Sequence, residues 1–305
     1  MYSPIHKKLL FIAIALLLPL SAQLKAAASD DRNNMIHSMV QRDSASAITE
    51  FPPHIYGHFC QGIVRSWSQD PVKLETLKKN TLRATQSNTT KLSTADKEAY
   101  DYVYCLQKLQ TSGLLAKNFK NWSVYDIIQV NAWMTRLQTE EPGKFRSDDT
   151  AWPIRDLSDE EKMRLYKIQQ QTTPLSDEDR QFVLETNHIF PSANIVPSEI
   201  TRMLNDVRGA LLSLETDTTA QKIHDEINIA SYVHHQIVAI HPWHEANKRT
   251  GRILSYVILM QHGIVPPVFS DAKKYTTLFI KNLKDQDCSP LSAYTRDLIL
   301  SRQSK

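Results

Sequence analysis

The sequence predicts an all-α fold, and two observations carry that prediction. The chain has 305 residues but only seven glycines, whereas the tight turns of strand-rich proteins rely on glycine. Long stretches place apolar residues three and four positions apart, which is the spacing of one face of a helix. A chain of this length buries a substantial core, as one large domain with additions or as two modest domains.

The first 28 residues are predicted to be a secretory signal peptide. Basic residues precede an apolar run at residues 9–20, and small residues follow it up to Ala28. The run is shorter than the roughly 20 apolar residues that span a bilayer, so we expect cleavage after Ala22 or Ala28. The mature protein is then exported, either secreted or periplasmic, or delivered into another cell. Contact with a membrane is expected only through this segment, before cleavage.

Composition argues against nucleic-acid binding and against catalysis by cysteine. The formal net charge of +3 falls to zero without residues 1–28, whose three lysines leave 33 basic residues against 33 acidic ones. A neutral mature chain gives no electrostatic reason to expect a nucleic-acid partner. Cys60, Cys105 and Cys288 are far apart and form no CxxC pair. We expect ordinary buried cysteines, with one disulfide as the alternative in an exported protein.

Amphipathic spacing divides the rest of the chain into helices. Residues 29–121 are predicted to form a helical N-terminal region of unknown role, with loosely fixed boundaries. One later helix is predicted between Trp122 and the turn at 140–146, and one or two solvated helices within 156–187, around a break at Thr173. A further helix follows an N-cap at Ser198, and the next one runs up to His241. The last two helices are predicted before a stop at Gly263 and from Ser289 onward.

The strongest chemical signal is the segment HPWHEANKRTGR, His241 to Arg252, between two predicted helices. The second helix begins near Asn247, so the N–H groups of its first turn lack partners within the helix and point at the preceding loop. Helix ends of this kind bind phosphate. Arg249 and Arg252 share a face of the same helix end, where two guanidinium groups can grip a polyphosphate.

Two further residues of the segment complete the parts of a phosphoryl-type transfer. Glu245 stands two residues before Asn247, close enough for its carboxylate to hold a Mg²⁺ ion shared with the phosphates. His241 follows an apolar helix end, where a neutral imidazole could accept a proton from an incoming hydroxyl. The segment thus combines a base, a metal ligand, a phosphate cradle and a charge clamp.

This segment resembles the motif of the Fic family, HPFx(D/E)GN(G/K)RxxR, in residue type and register. The matching positions are His241, Pro242, Glu245, Asn247, Lys248, Arg249 and Arg252. Two flanking features are also similar to Fic proteins, the PGKFR sequence at 142–146 and the helix that carries His234. The resemblance covers about residues 122–285.

The resemblance implies a fold and domain boundaries. The fold is a helical bundle with a small β-hairpin flap over the active-site loop. The regions are the signal peptide at 1–28, the helical N-terminal region at 29–121, the Fic domain at 122–285, and a C-terminal helix at 286–305 packed on that domain. By position, residues 188–197 resemble the flap that pairs with a target segment, and a plain surface loop is the alternative.

The resemblance also implies a function, the Mg²⁺-dependent transfer of AMP from ATP to a Ser, Thr or Tyr hydroxyl of a target protein. His241 resembles the general base and Glu245 the Mg²⁺ ligand. The expected nucleotide contacts are Glu245, Ala246, Asn247, Lys248, Arg249 and Arg252. Trp243 replaces the family's phenylalanine and should still plug the core, and His234 is expected to be structural.

One departure from the motif leaves the transferred group open. Ala246 stands where most AMP-transferring members have glycine, and alanine here resembles the Doc kinases and the phosphocholine-transferring members. The added methyl in the anion loop could turn a different phosphorus toward the hydroxyl. AMP transfer is our interpretation, with phosphocholine or phosphate transfer by the same loop as the alternative. A catalytically silent, exported binding module is an alternative from another functional class.

Two weaker patterns have simpler explanations. Many family members are inhibited by a helix with the pattern (S/T)xxxE(G/N), whose glutamate pairs with the second arginine of the motif. Ser46 with Glu50 and Thr94 with Glu98 match this pattern in part. We expect coincidence in both cases, because such short patterns recur by chance. The histidines between 234 and 244 could instead form a zinc cluster, but a proline among them breaks the helical geometry that such a site requires.

Overall fold

The computed structural model describes residues 50–56, 71–85, 91–153, 155–170, 175–215 and 221–302. Several features that the sequence raises lie outside these residues. They are the predicted signal peptide at 1–28, the Ser46 end of one partial inhibitory pattern, Cys60, and the break at Thr173.

The described residues form eleven α-helices and two short strands. In chain order these are α1 (Pro53–Tyr56), α2 (Pro71–Arg83), α3 (Thr94–Thr111), α4 (Val124–Met134), β1 (Ala151–Pro153), α5 (Asp159–Gln169), α6 (Asp177–Thr186), β2 (Asn187–Ile189), α7 (Val196–Leu214), α8 (Gln221–Ile240), α9 (Asn247–Gln261), α10 (Ala272–Asp285) and α11 (Ser289–Arg302). The predicted helical class is confirmed.

The two strands form an antiparallel sheet in which Ala151 lies opposite Ile189 and Trp152 opposite His188. The pairing continues in a hydrogen bond from the Phe190 N–H to the Thr150 carbonyl at 3.2 Å. We call β1, β2 and residues 190–191 the flap. The sheet agrees with the implied flap, but its strands are joined by a connection of 33 residues that contains α5 and α6.

α8 is the central helix of the bundle and is buried along most of its length. It contacts α7, α9, α10 and α11. Its closest approach is to α9, because a Cβ on Gly251 would lie 2.9 Å from the His234 carbonyl oxygen. Only glycine allows two helix backbones to come so near. This contact holds together the two helices that flank the loop at 241–246.

Several predicted helix boundaries are confirmed. α9 ends at Gln261, and Gly263 follows with a φ of +71°, the left-handed conformation of a glycine stop. α11 begins at Ser289 as predicted. The charge-rich region forms two mostly exposed helices, α5 and α6, each with a serine N-cap.

The prediction of Ser198 as a helix N-cap is wrong. α7 already begins at Val196, and the Ser198 hydroxyl donates to the Ile195 carbonyl at 2.6 Å within the first turn. Pro197 explains the earlier start, because its fixed φ and missing N–H suit the first turn of a helix.

Cys105 and Cys288 are both buried and free, in agreement with ordinary buried cysteines at these two positions. Burial raises the pKa of the Cys288 thiol to about 12, so the thiol is protonated and unreactive at pH 7. In the part of the chain that the structure describes, no helix is long and apolar enough to cross a membrane.

Candidate active site

Residues 241–246 form the loop between α8 and α9, and its backbone is strained at both ends. His241 has a φ of +49° and Ala246 a φ of +64°, a conformation that costs about 1–2 kcal/mol for a residue with a side chain. The Asn247 side chain holds the loop closed, since it accepts from the Trp243 N–H at 3.0 Å and donates to the Trp243 carbonyl at 2.6 Å. Because the side chain already forms two hydrogen bonds with Trp243, the backbone N–H of Asn247 is the group left for the predicted contact with nucleotide.

Trp243 plugs the core beneath the loop, as expected, and is only 2% exposed. Its indole N–H donates to the Gly143 carbonyl at 3.0 Å, and its ring packs against Phe145. Gly143 has a φ of +80°, and a Cβ there would lie 2.9 Å from the Ile128 carbonyl oxygen. The PGKFR turn therefore supports the loop from below through a position that only glycine can occupy.

The His241 imidazole lies against the flap. The Phe190 ring stacks on it with 4.2 Å between ring centroids, and Trp152 meets it edge-on at 6.3 Å. Its Nδ1 atom is buried and has no hydrogen-bond partner among the described residues. Burial, followed by the positive charges of Arg146 and Lys248, lowers the pKa of His241 to about 4. The imidazole is therefore neutral at pH 7, the state that a general base requires.

The N-terminus of α9 meets the loop without a cap. Ala246 is the N-cap residue, and among the described residues no side chain caps the N–H groups of the first turn, which leaves these donors to an anion. The Lys248 ammonium lies 3.9 Å from the centroid of the Trp152 ring. Burial and the neighbouring Arg252 charge lower the pKa of Lys248 to about 8. Cations are thus crowded at one helix N-terminus, an arrangement that favours an anionic ligand.

Arg249 is buried and paired with a residue far away in the sequence. Its guanidinium donates to the Glu98 carboxylate at 3.1 Å and to the Gln138 side chain at 2.9 Å. Glu98 belongs to the partial inhibitory pattern that begins at Thr94, which is expected to be a coincidence, and the structure places this glutamate beside the candidate site. The glutamate contacts the first arginine of the segment, whereas the family pattern implies the second, Arg252.

Replacing Glu98 with glutamine is expected to tighten Mg-ATP binding about fivefold. The change removes the negative charge beside Arg249 but keeps an oxygen for its N–H groups. The Glu98 side chain is 29% exposed, so the pair is worth at most about 1 kcal/mol, which corresponds to that factor. Isothermal titration with Mg-ATP measures the change.

Glu75→Gln is the matched control for this titration, because Glu75 forms a surface ion pair with Lys78 on α2. It should leave the affinity for Mg-ATP unchanged. Equal or weaker binding in Glu98→Gln would show that Glu98 does not restrain Arg249.

Arg252 is buried, and in the described part of the chain it forms no ion pair with a carboxylate. Its Nε atom has no hydrogen-bond partner there, and its Nη2 atom donates to the Tyr275 hydroxyl over a long 3.5 Å. A buried charge without compensation is costly, so the arrangement favours an anionic ligand at this arginine. The Tyr275 hydroxyl also lies 2.7 Å from the His234 Nε2 atom. His234 thus packs behind the helix, consistent with the expected structural role.

Glu245 is exposed and lines a cavity of about 80 Å³ between the loop and the residues after α4. Its carbonyl accepts from the Asn131 side chain at 3.2 Å, which holds the backbone in place. The described residues contain no group of three or more metal-ligating side chains. A Mg²⁺ ion bound with a nucleotide needs only one or two protein carboxylates and takes phosphates and waters as its other ligands. One exposed carboxylate beside an uncapped helix end fits this requirement.

Known proteins resemble this chain in sequence and in fold. Residues 121–259 match the model of the Fic/DOC family. These residues form a Fic domain. The fold of the chain is similar to that of a Fic domain containing signaling protein from Bacteroides thetaiotaomicron, with a TM-score of 0.50 over 92% of this chain and 91% of that chain, at 14% identity.

Two relatives match part of this chain. Protein adenylyltransferase fic-1 of Caenorhabditis elegans is 32% identical over 94 residues, which are 30% of this chain and 18% of the relative. Its counterpart of the same name in Caenorhabditis briggsae is 38% identical over 64 residues, which are 20% of this chain and 13% of the relative. The matches therefore span less than a fifth of either relative. Together with the Fic domain they indicate a transferase.

Proposed function

We propose that this Fic protein transfers AMP from ATP to a Ser, Thr or Tyr hydroxyl of a target protein. One observation carries the proposal. A neutral, half-buried base, His241, stands at one end of the loop, and an uncapped helix N-terminus stands at the other, with Arg252, which has no carboxylate partner among the described residues. The two relatives that are named adenylyltransferases support AMP as the transferred group.

The residues of the site support one in-line displacement. The target hydroxyl gives its proton to the His241 imidazole as its oxygen attacks the α-phosphorus of ATP. A new O–P bond forms, the bond from the α-phosphorus to the bridging oxygen breaks, and pyrophosphate leaves with the electron pair. The N–H groups of the first turn of α9 stabilise charge on the α-phosphate, and Arg252 binds the phosphates beyond it.

Mg²⁺ is the cofactor in this proposal, and Glu245 is the residue that would hold it. When bound, the ion neutralises phosphate charge and helps to orient the leaving group. The chain itself contributes the carboxylate and a loop backbone that Asn131 and Asn247 keep in place.

Labelled donors distinguish the transferred groups. We expect label from [α-³²P]ATP to appear on the target protein, and none from [γ-³²P]ATP. Label from the γ-phosphate would indicate phosphate transfer, and label from CDP-choline alone would indicate phosphocholine transfer. A protein that binds no Mg-ATP at all would support the silent binding module instead.

Replacing Ala246 with glycine is expected to leave the transferred group unchanged and to alter the rate only modestly. Ala246 already has the left-handed conformation that glycine adopts without strain, so the path of the backbone should be kept. Relief of strain and the greater freedom of unfolded glycine nearly cancel, and the free energy of unfolding should change by less than about 1 kcal/mol. Thermal unfolding and mass analysis of the products check both statements. An adenylylated product from the glycine variant alone would contradict AMP transfer by the natural protein.

We also propose that the protein is exported and acts where it meets nucleotide again, after delivery into another cell. The support is the order of basic, apolar and small residues within 1–28. The mass of protein recovered outside the producing cell tests this, because a mature chain would begin at Gln23 or Ser29. Recovery of chains that keep residues 1–28 would contradict cleavage.

A further inference from the structure

Arg146, the last residue of the PGKFR turn, joins the loop at 241–246 to the flap. Its side chain is completely buried. The guanidinium donates to four backbone carbonyls, those of His241 at 2.7 Å, Asp148 at 2.6 Å, Ile240 at 3.5 Å and Pro191. Its backbone N–H donates to the Pro242 carbonyl at 2.9 Å. One residue thus holds the end of α8, the first part of the loop, and the flap.

The chemistry of this contact requires arginine. A guanidinium presents five N–H donors in a rigid planar fork, so it can reach acceptors on separate segments at once, whereas a lysine ammonium is a single point. The carbonyls at the end of α8 have no partner within the helix, and a positive charge beside them also favours the helix dipole. Its nearest carboxylate among the described residues, Asp149, is at 4.0 Å and largely exposed.

The base residue depends on such support. His241 has a φ of +49°, and a strained conformation persists only where the surroundings hold it. Arg146 binds the carbonyl of His241 itself and that of Pro191, which follows the Phe190 ring stacked on the imidazole. It therefore fixes both sides of the stack.

We propose that Arg146 is a positioning residue, which fixes the backbone of His241 and the flap in one geometry so that the base is presented correctly to the target hydroxyl. The proposal rests on the proposed function of His241 as the base. Arg146 does not contact the reacting atoms.

Charge supports the same assignment. Four charged or titratable groups lower the pKa of His241 after burial, in the order Arg146, Lys248, His188 and His244. They come from the PGKFR turn, α9, β2 and the loop. Since Arg146 comes first among them, its removal should raise the pKa of His241 toward the usual value of about 6.5.

Two variants separate geometry from charge. Arg146→Lys keeps the charge and most of the stem but loses the fork, and Arg146→Met loses both. We expect kcat to fall about 10²-fold in each, the order of loss that a misplacement of about 1 Å causes, with the KM for ATP nearly unchanged. Only Arg146→Met should move the acid limb of the pH profile upward from about pH 4, because the base then protonates at higher pH. Arg208→Met, which removes an exposed arginine that donates to the Lys120 carbonyl, is the control and should change none of these values.

An NMR titration of the His241 imidazole gives a readout that does not depend on transfer. Its signals are assigned by their loss in His241→Ala. We expect shifted His241 resonances in both variants and a raised pKa in Arg146→Met. If wild type transfers no AMP, the proposed function fails, yet these shifts still test the positioning. Unchanged resonances, an unchanged kcat, or loss of folding in both variants would overturn the proposal.

Discussion

Replacing His241 with alanine should lower the rate of transfer by about 10²–10⁴-fold while leaving ATP affinity nearly unchanged. A general base acts in the transition state, so its removal affects kcat more than ground-state binding. The imidazole contacts the flap rings Phe190 and Trp152, whereas the proposed phosphate donors belong to α9. Single-turnover transfer and a separate titration with Mg-ATP measure the two effects.

His244→Ala is the control for this experiment. His244 lies three residues further along the same loop, but it is exposed and pairs with Asp148 at 3.2 Å. Its removal should leave the rate close to that of wild type. A His241→Ala variant that transfers at the wild-type rate would show that another group accepts the proton.

Replacing Arg252 with alanine should weaken Mg-ATP binding by about 10- to 100-fold. A charged donor that meets its ligand in a buried site is worth about 1.5–3 kcal/mol, which gives this range. The protein itself should lose little stability from the missing charge, because no carboxylate in the described chain depends on Arg252 for compensation. Arg252→Met, which keeps the apolar stem, separates the charge from the packing. Calorimetric titration and thermal unfolding measure both properties.

A structural ion pair would behave in the opposite way. Breaking such a buried pair costs about 3–5 kcal/mol of stability, with no reason for a change in nucleotide affinity. Unchanged affinity for Mg-ATP in both Arg252 variants would therefore show that Arg252 does not bind the phosphates.

Local patterns were sufficient to predict the segment from His241 to Arg252 and the helices around it. Spacing of apolar residues identifies α8 and α9. Gly263 marks the end of α9, because the backbone there has the left-handed conformation that glycine favours. The Fic motif is contiguous, so its residues could be compared without knowledge of distant contacts.

The supporting contacts could not be predicted, because they join residues that are far apart in the chain. Glu98 meets Arg249 across 151 positions, and Arg146 meets the His241 carbonyl across 95. No sequence pattern predicts β1, since three residues that end in proline are too few to show the alternation of a strand. Arg146 lies within a turn that the sequence predicts, but its partners are backbone carbonyls. Every residue has a carbonyl, so the residue types do not indicate these contacts.

The central claim is that the loop transfers AMP, and intact-mass analysis of the target protein tests it most directly. Enzyme and candidate targets are incubated with Mg-ATP and, separately, with CDP-choline, and His241→Ala is included as the inactive control. We predict that a target gains the mass of one adenylyl group with wild type and ATP, and gains nothing with His241→Ala. A gain of a phosphoryl or phosphocholine group in place of the adenylyl group would contradict the claim.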